Sequence, residues 1–397
     1  MAQLFQSIQV GSFRVKNRIV FAATGTGYAH HNGSVSDQNL CHYVARAKGG
    51  AGWITIEHGF VNYRYSKQGR ILAYDQESFT VGLRDLVEAI HFFGALAVVQ
   101  LSLGVGRQST SRRTGSELVS ASPIPYRIEE GTAPRGLKHF EGTLGENPRE
   151  LSIEEIRKLE EDFVEAADRI KRVGFDGIEV HGAHGYLLSS FLSPRTNHRR
   201  DEYGFSFEGR LRLPLNLIEK IREALGHNFL LGYRISGDEH VAGGLTLKDT
   251  VKIAKILADK GLDFIHLSSG SMEAMKYMFP EEDGVMLPEA EAIKEAVQIP
   301  VICPNIHDPQ AVRRAIEEGK VDMISLSRQL LADPEWPNKV REGREKEIRR
   351  CKKCNYCVSV LWKGYGIRCA VNPELGHERF IPKYWPPVQP IEEKQGT

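Results

Sequence analysis

Residues 175–195 read FDGIEVHGAHGYLLSSFLSPR. Ile178, Glu179 and Val180 make a short strand-like run that breaks at once into His181, Gly182, Ala183, His184, Gly185 and Tyr186. A strand aims whatever follows it, so two imidazoles and a phenol at this spacing converge on one spot, where a core would want apolar side chains. Gly182 and Gly185 let the backbone turn tightly and leave room for something large to lie against it. In a barrel of parallel strands, polar residues at the C-terminal end of a strand mark chemistry.

Outward from this stretch, short apolar runs alternate with longer amphipathic ones. The pattern predicts strands at 19–23, 53–56, 95–101, 177–180, 229–234, 264–267, 300–303 and 323–326. Helices are predicted at 38–48, 78–93, 153–173, 208–225, 247–260, 289–297 and 309–318, with start signals such as Ser152 before IEEI and Asp308 before Pro309. Eight strands with helices between them fit an α/β (β/α)₈ TIM barrel over 1–340 better than an open doubly wound sheet. Two connections, 102–150 and 182–207, are too long for plain linkers and read as polar binding loops on the catalytic face. After residue 340 the character changes to a charged and cysteine-rich segment, 341–380, and then to a Pro-rich stretch, 381–397, expected to be an extended tail.

The chain has 397 residues, 41% hydrophobic and 26% charged, which is an ordinary globular composition. A net charge of +1 argues against nucleic-acid or membrane-surface binding through bulk charge. No apolar run reaches the roughly 18 residues of a membrane span, and the first residues carry no signal-peptide core, so a cytoplasmic location is expected. Of six cysteines, Cys351, Cys354, Cys357 and Cys369 crowd near the C-terminus. In a reducing compartment that crowding suggests metal rather than disulfides. Three closely spaced thiols and one distant one suit the corners of a [4Fe–4S] cube, whereas structural zinc more often takes two separate knuckles. Cys41 and Cys303 stand alone and read as packing residues.

EVHGAHGYLLSSFLSPRTNHRRDEYG, with FEGRLRLPL, LGYRISGDE, GGLT and CKKCNYC, resembles the FMN-dependent old yellow enzyme family. The similar branch is that of 2,4-dienoyl-CoA reductase, trimethylamine dehydrogenase and 2-enoate reductase, with its [4Fe–4S] segment. The resemblance implies an FMN-bearing barrel with the cluster, ligated by the four crowded cysteines, beside the flavin edge. It implies that Ala22, Ala23 and Thr24 run under the flavin ring, that Gln100 meets its pyrimidine side, and that Arg234 stands near N1. Asn305, Ser327 and Arg328 resemble the phosphate loops, and Glu57 and His58 are expected to line the flavin pocket. Arg234 could instead pair with Asp238 or Glu239.

His181 and His184 resemble the pair that grips a substrate oxygen, and Tyr186 the proton donor. Dienoyl-CoA reductase uses a His after its sixth strand, but this chain reads SSGSM from Ser268 to Met272, which puts the acid role on Tyr186. The implied reaction is reduction of an activated alkene, in an α,β-unsaturated carbonyl, acid or thioester. The alternatives are an amine dehydrogenase or N-demethylase passing electrons outward, and an electron-transfer subunit of a larger complex. With no G-x-G-x-x-G opening a helix, electrons are expected from NAD(P)H bound directly or from a redox partner, an electron-transfer flavoprotein, ferredoxin or flavoprotein subunit. A homo-oligomer is expected.

Overall fold

The computed structural model describes residues 3–66, 70–111, 115 and 117–385. Eight parallel strands close into a barrel: β1 (Ile19–Phe21), β2 (Trp53–Phe60), β3 (Leu96–Ser102), β4 (Gly177–Gly182), β5 (Leu230–Ser236), β6 (Phe264–Ser268), β7 (Val301–Pro304) and β8 (Met323–Leu326). Each pairs with the next in sequence, and β8 returns to β1 through Ser325↔Val20. The helices α1 (Asp37–Lys48), α2 (Thr80–His91), α3 (Ile153–Val173), α4 (Phe207–Leu225), α5 (Leu247–Asp259), α6 (Leu287–Ala296) and α7 (Pro309–Glu317) alternate with the strands in the chain. Side-chain oxygens start α3 and α7 where the sequence placed the signals: Ser152 accepts from Glu155 N while Glu155 returns the bond, and Asp308 caps α7.

Strand side chains alternate between the two faces of a sheet, so each barrel strand sends one set inward and the other toward the helices. The lowest inward layer is apolar: Val20, Trp53, Val98, Leu230, Phe264, Ile302 and Met323 pack together, with Trp53 edge-on to Phe264 at 4.7 Å between ring centres. An N-terminal hairpin, Ile8–Val10 with Phe13–Val15, plugs this end by adding Val10 and Val15 to the layer. The hairpin was not foreseen, because two three-residue strands carry too little periodicity to stand out. Closed below, the barrel can hold a ligand only at its upper, C-terminal end.

The two long connections lie at that upper end. Within the first, Val119–Ser120 pairs with Arg149–Glu150. The second was expected as a polar loop; instead Leu187–Leu192 forms a short helix whose residues are all buried, because LLSSFL is apolar enough to pack against the barrel top. Beyond β8, the helices Arg328–Ala332, Trp336–Arg341 and Tyr356–Trp362 carry the chain back over the loop after β1, where Ile367 N donates to Thr26 O (2.9 Å) and Tyr28 Oη to Ile367 O (2.8 Å). Residues 381–385 lie back against the barrel, with Lys48 Nζ donating to Lys383 O, while the rest of the expected tail, 386–397, lies outside the described residues. No helix among the described residues is long and apolar enough to cross a membrane.

Candidate active site

His181 holds the last inward position of β4, directly opposite Arg234 in the ladder with β5. The chain then turns sharply: His184 takes a left-handed φ of 66°, its N–H donating to Ser236 Oγ (3.0 Å), and Gly185 follows at 79°. This turn folds Tyr186 back over the strand end. The rings of His181 and His184 lie 5.3 Å apart and nearly perpendicular, and Tyr186 lies 4.8 Å from His181 and 6.4 Å from His184. His58, at the end of β2, completes the group at 5.9 Å from His181 and 5.8 Å from Tyr186. His58 lines the pocket as expected, but the sequence did not join it to the trio, because β2 and β4 are far apart in the chain.

Burial pushes His58 down to about 4. Burial, with the neighbouring imidazoles and Arg234, holds His181 and His184 well below the ordinary range. All three rings are therefore neutral at pH 7. Ala183 N–H donates to His181 Nδ1 (3.4 Å), which leaves the ring proton on Nε2. His184 Nε2 meets Ser268 Oγ at 2.6 Å; a hydroxyl donating there leaves the proton on Nδ1. The SSGSM stretch thus supplies no acid, but its first serine orients the imidazole.

A cavity of about 400 Å³ runs from this trio across the barrel mouth, lined by Ala22, Ala23, Thr24, Gln100, Asn305, Ser327 and Arg328 as well as His58 and Arg234. Arg234 is 8% exposed, and its side chain hydrogen-bonds no described residue, neither Asp238 nor Glu239 included; its Nε is buried without a partner. His58 Nε2 is likewise buried and unpartnered. Orphaned buried donors facing a cavity call for a ligand with acceptors, since leaving them unmet is costly. The residues present fit the pyrimidine edge of a flavin. Glu57 does not line this cavity as expected: it turns away to accept from Thr26 N, Thr26 Oγ1 and Asn39 Nδ2, and so anchors the loop after β1.

Beneath the cavity floor lies a buried polar layer that sequence reasoning missed. Gln100 Nε2 donates to Glu179 Oε1 (2.6 Å), His266 Nδ1 meets Glu179 Oε2 (2.6 Å), and His266 Nε2 meets Ser325 Oγ (2.8 Å). Burial pushes Glu179 up, but His266 and Arg234 outweigh it and hold the carboxyl below its usual range. Because a carboxylate only accepts, Gln100 must give it the amide N–H and keep its carbonyl oxygen as an acceptor. The alternation rule carried a signal: Glu179 shares the inward face of β4 with His181.

The four crowded cysteines are free thiols around a second, smaller cavity, which Arg328 also lines. Among the described residues no three Cys, His, Asp or Glu side chains stand close enough to share one metal ion. The arginines of the connection after β4 are structural: Arg195 pairs with Glu273 and Arg199 with Asp201.

A closed parallel barrel with an orphaned cation and neutral imidazoles at its upper mouth has the features of an enzyme that holds a planar, acceptor-rich cofactor. The chain belongs to the NADH:flavin oxidoreductase / NADH oxidase family, which matches residues 3–347, and so to the FMN-dependent oxidoreductases. It is similar to an NADH oxidase of Thermoanaerobacter brockii, 41% identical over 383 residues that make up 94% of this chain and 56% of that protein. It is 33% identical to a cinnamate reductase of Clostridium sporogenes over 95% of this chain and 58% of that protein. Among solved structures, 2-naphthoyl-CoA reductase in complex with 2-naphthoyl-CoA superposes with a TM-score of 0.85 at 28% identity, covering 95% of this chain and 58% of that one. The chain thus spans little more than half the length of these relatives.

Proposed function

We propose that the protein reduces the C=C bond of an α,β-unsaturated carbonyl, acid or thioester, with Tyr186 as the proton donor. The observation that carries this reading is the meeting of two neutral imidazoles with a phenol above the orphaned Arg234. FMN, when bound, would supply a hydride for the β-carbon. As negative charge gathers on the carbonyl oxygen, the N–H groups of His181 and His184 stabilise it, more strongly in a dry site than in water. Tyr186, whose phenolic O–H can act as a general acid, then delivers a proton to the α-carbon. Ala22, Ala23, Thr24, Gln100 and Arg234 would hold the flavin ring, with Asn305, Ser327 and Arg328 at its phosphate. Four thiols around one cavity, three of them at two-residue spacings and the fourth distant in the chain, support a [4Fe–4S] cluster as the second cofactor. NAD(P)H or an external redox protein would provide the electrons.

Tyr126, Phe140, Phe279 and Trp362 line the outer part of the same cavity, a wall suited to a flat conjugated acyl group. Such a wall also suits a substrate ammonium through cation–π attraction, which supports amine oxidation as the second reading. Tyr186→Phe separates the two. It should slow re-oxidation of the reduced flavin by an enone at least ~100-fold while leaving flavin reduction intact, because only the protonation step loses its acid. A wild-type rate of re-oxidation would remove Tyr186 as the donor.

A further inference from the structure

We infer that Arg328 is a cation shared between the two cofactor sites, holding the flavin phosphate on one side and the iron–sulfur cluster on the other. This rests on the cofactors proposed above and adds a link between them. Arg328 opens the short helix after β8 and is 9% exposed. Its Nη1 donates to Asn355 Oδ1 (2.8 Å), and its Nη2 to Pro280 O (2.9 Å) and Asn305 Oδ1 (3.3 Å). Every one of these acceptors is neutral. Asp283, a nearby acid, is already taken by Lys353 Nζ at 2.7 Å and by the N–H groups of His307 and Asp308. A buried guanidinium without a counter-ion is costly, and here it borders two cavities that would each receive an anion.

The contact with Asn355 ties this cation to the ligand loop itself. Asn355 lies between Cys354 and Cys357, is buried, and holds a left-handed φ of 56° while its Nδ2 donates to Arg135 O (3.0 Å). Its Oδ1 reaches Arg328 because the loop has this shape. Asn355 borders only the cysteine cavity, and Asn305 only the larger one, so the two ends of one guanidinium are fixed from opposite sides. A planar fork can serve both ends at once; an ammonium cannot.

The test uses the holoprotein and the variants Arg328→Gln, Arg328→Lys and Asn355→Ala. Iron and sulfide content, the FMN dissociation constant and the cluster's midpoint potential by EPR-monitored titration are read for each, with circular dichroism as the check on folding. Arg328→Gln should raise the FMN dissociation constant at least tenfold and make the cluster about tenfold harder to reduce, a shift of ~59 mV to lower potential for one electron. Arg328→Lys should keep the cluster equilibrium within about threefold of wild type and still weaken FMN, because charge is retained and the fork is lost. If Arg328→Gln fails to fold, Asn355→Ala carries the test: it should weaken FMN severalfold from the cysteine side. FMN loss with an unchanged cluster potential in Arg328→Gln, or unchanged FMN affinity in Asn355→Ala, would overturn the inference alone. A wild-type protein that takes up no iron would remove the cluster and this inference together.

Discussion

His58, His181 and His184 are three basic side chains that burial keeps uncharged, and that neutrality is what makes them donors rather than anion traps. The rate of the enone half-reaction should accordingly show no inflection at the ordinary histidine pKa near ~6.5. Stability carries the complementary signature. His58 is held at about 4 against 6.5 when unfolded, so its contribution is complete above pH 6.5 and is lost as pH falls toward 4. Glu57, raised by burial to about 7, works in the opposite sense: its contribution is present at low pH and lost as pH rises through 7. The wild-type profile therefore mixes both. The difference is clean: His58→Gln should lose ~2 kcal/mol less stability than wild type between pH 7.5 and pH 5, by denaturant titration at each pH. Equal acid sensitivity would show that His58 titrates normally. At this scale the trio was legible, because its members are five residues apart at most. His58, Ser268 and Asn355 were not assigned their partners, since each meets its target from another strand or loop.

β4 shows how one element carries two roles. Its outward residues, Ile178 and Val180, join the shell of core beneath the helices, while Glu179 and His181 face inward at successive levels. Glu179 faces Gln100 on β3 and His266 on β6, and its charge is the one that sustains Arg234. Glu179→Gln should therefore leave Arg234 less compensated and favour the anionic reduced flavin. The predicted outcome is a flavin midpoint potential higher by about a tenfold change in equilibrium, ~30 mV for two electrons, in a spectroelectrochemical titration. An unchanged or lower potential would detach this layer from the flavin. The barrel strands and outer helices were legible because apolar alternation and caps are local signals. The buried polar layer was not, because Glu179, His266 and Ser325 make sense only once strands far apart in sequence are wrapped into one barrel. Leu187–Leu192 was lost for a different reason: six residues are too few to declare a helical period.

Across the whole molecule, one end of the barrel is sealed by the N-terminal hairpin and the other is built into a site by the loops and the cysteine segment. The barrel and the upward direction of the site followed from counting strands and noting where the polar residues fell. The fold-back of 349–378 over the loop after β1 did not, since contacts such as Tyr28 to Ile367 and Arg46 to Glu378 span most of the chain. That closure gives one cavity reaching from Tyr186 to Cys357, and with it the central claim that this site reduces activated alkenes. The direct test is anaerobic spectrophotometry of the purified protein with flavin and iron analysis. NADH or NADPH is added first, then cinnamate and simple enones, and in a parallel sample small methylated amines. Bleaching of the flavin by the nicotinamide and recovery on adding the alkene is the predicted result. A flavin bleached by an amine, with no recovery by any alkene after chemical reduction, would contradict it.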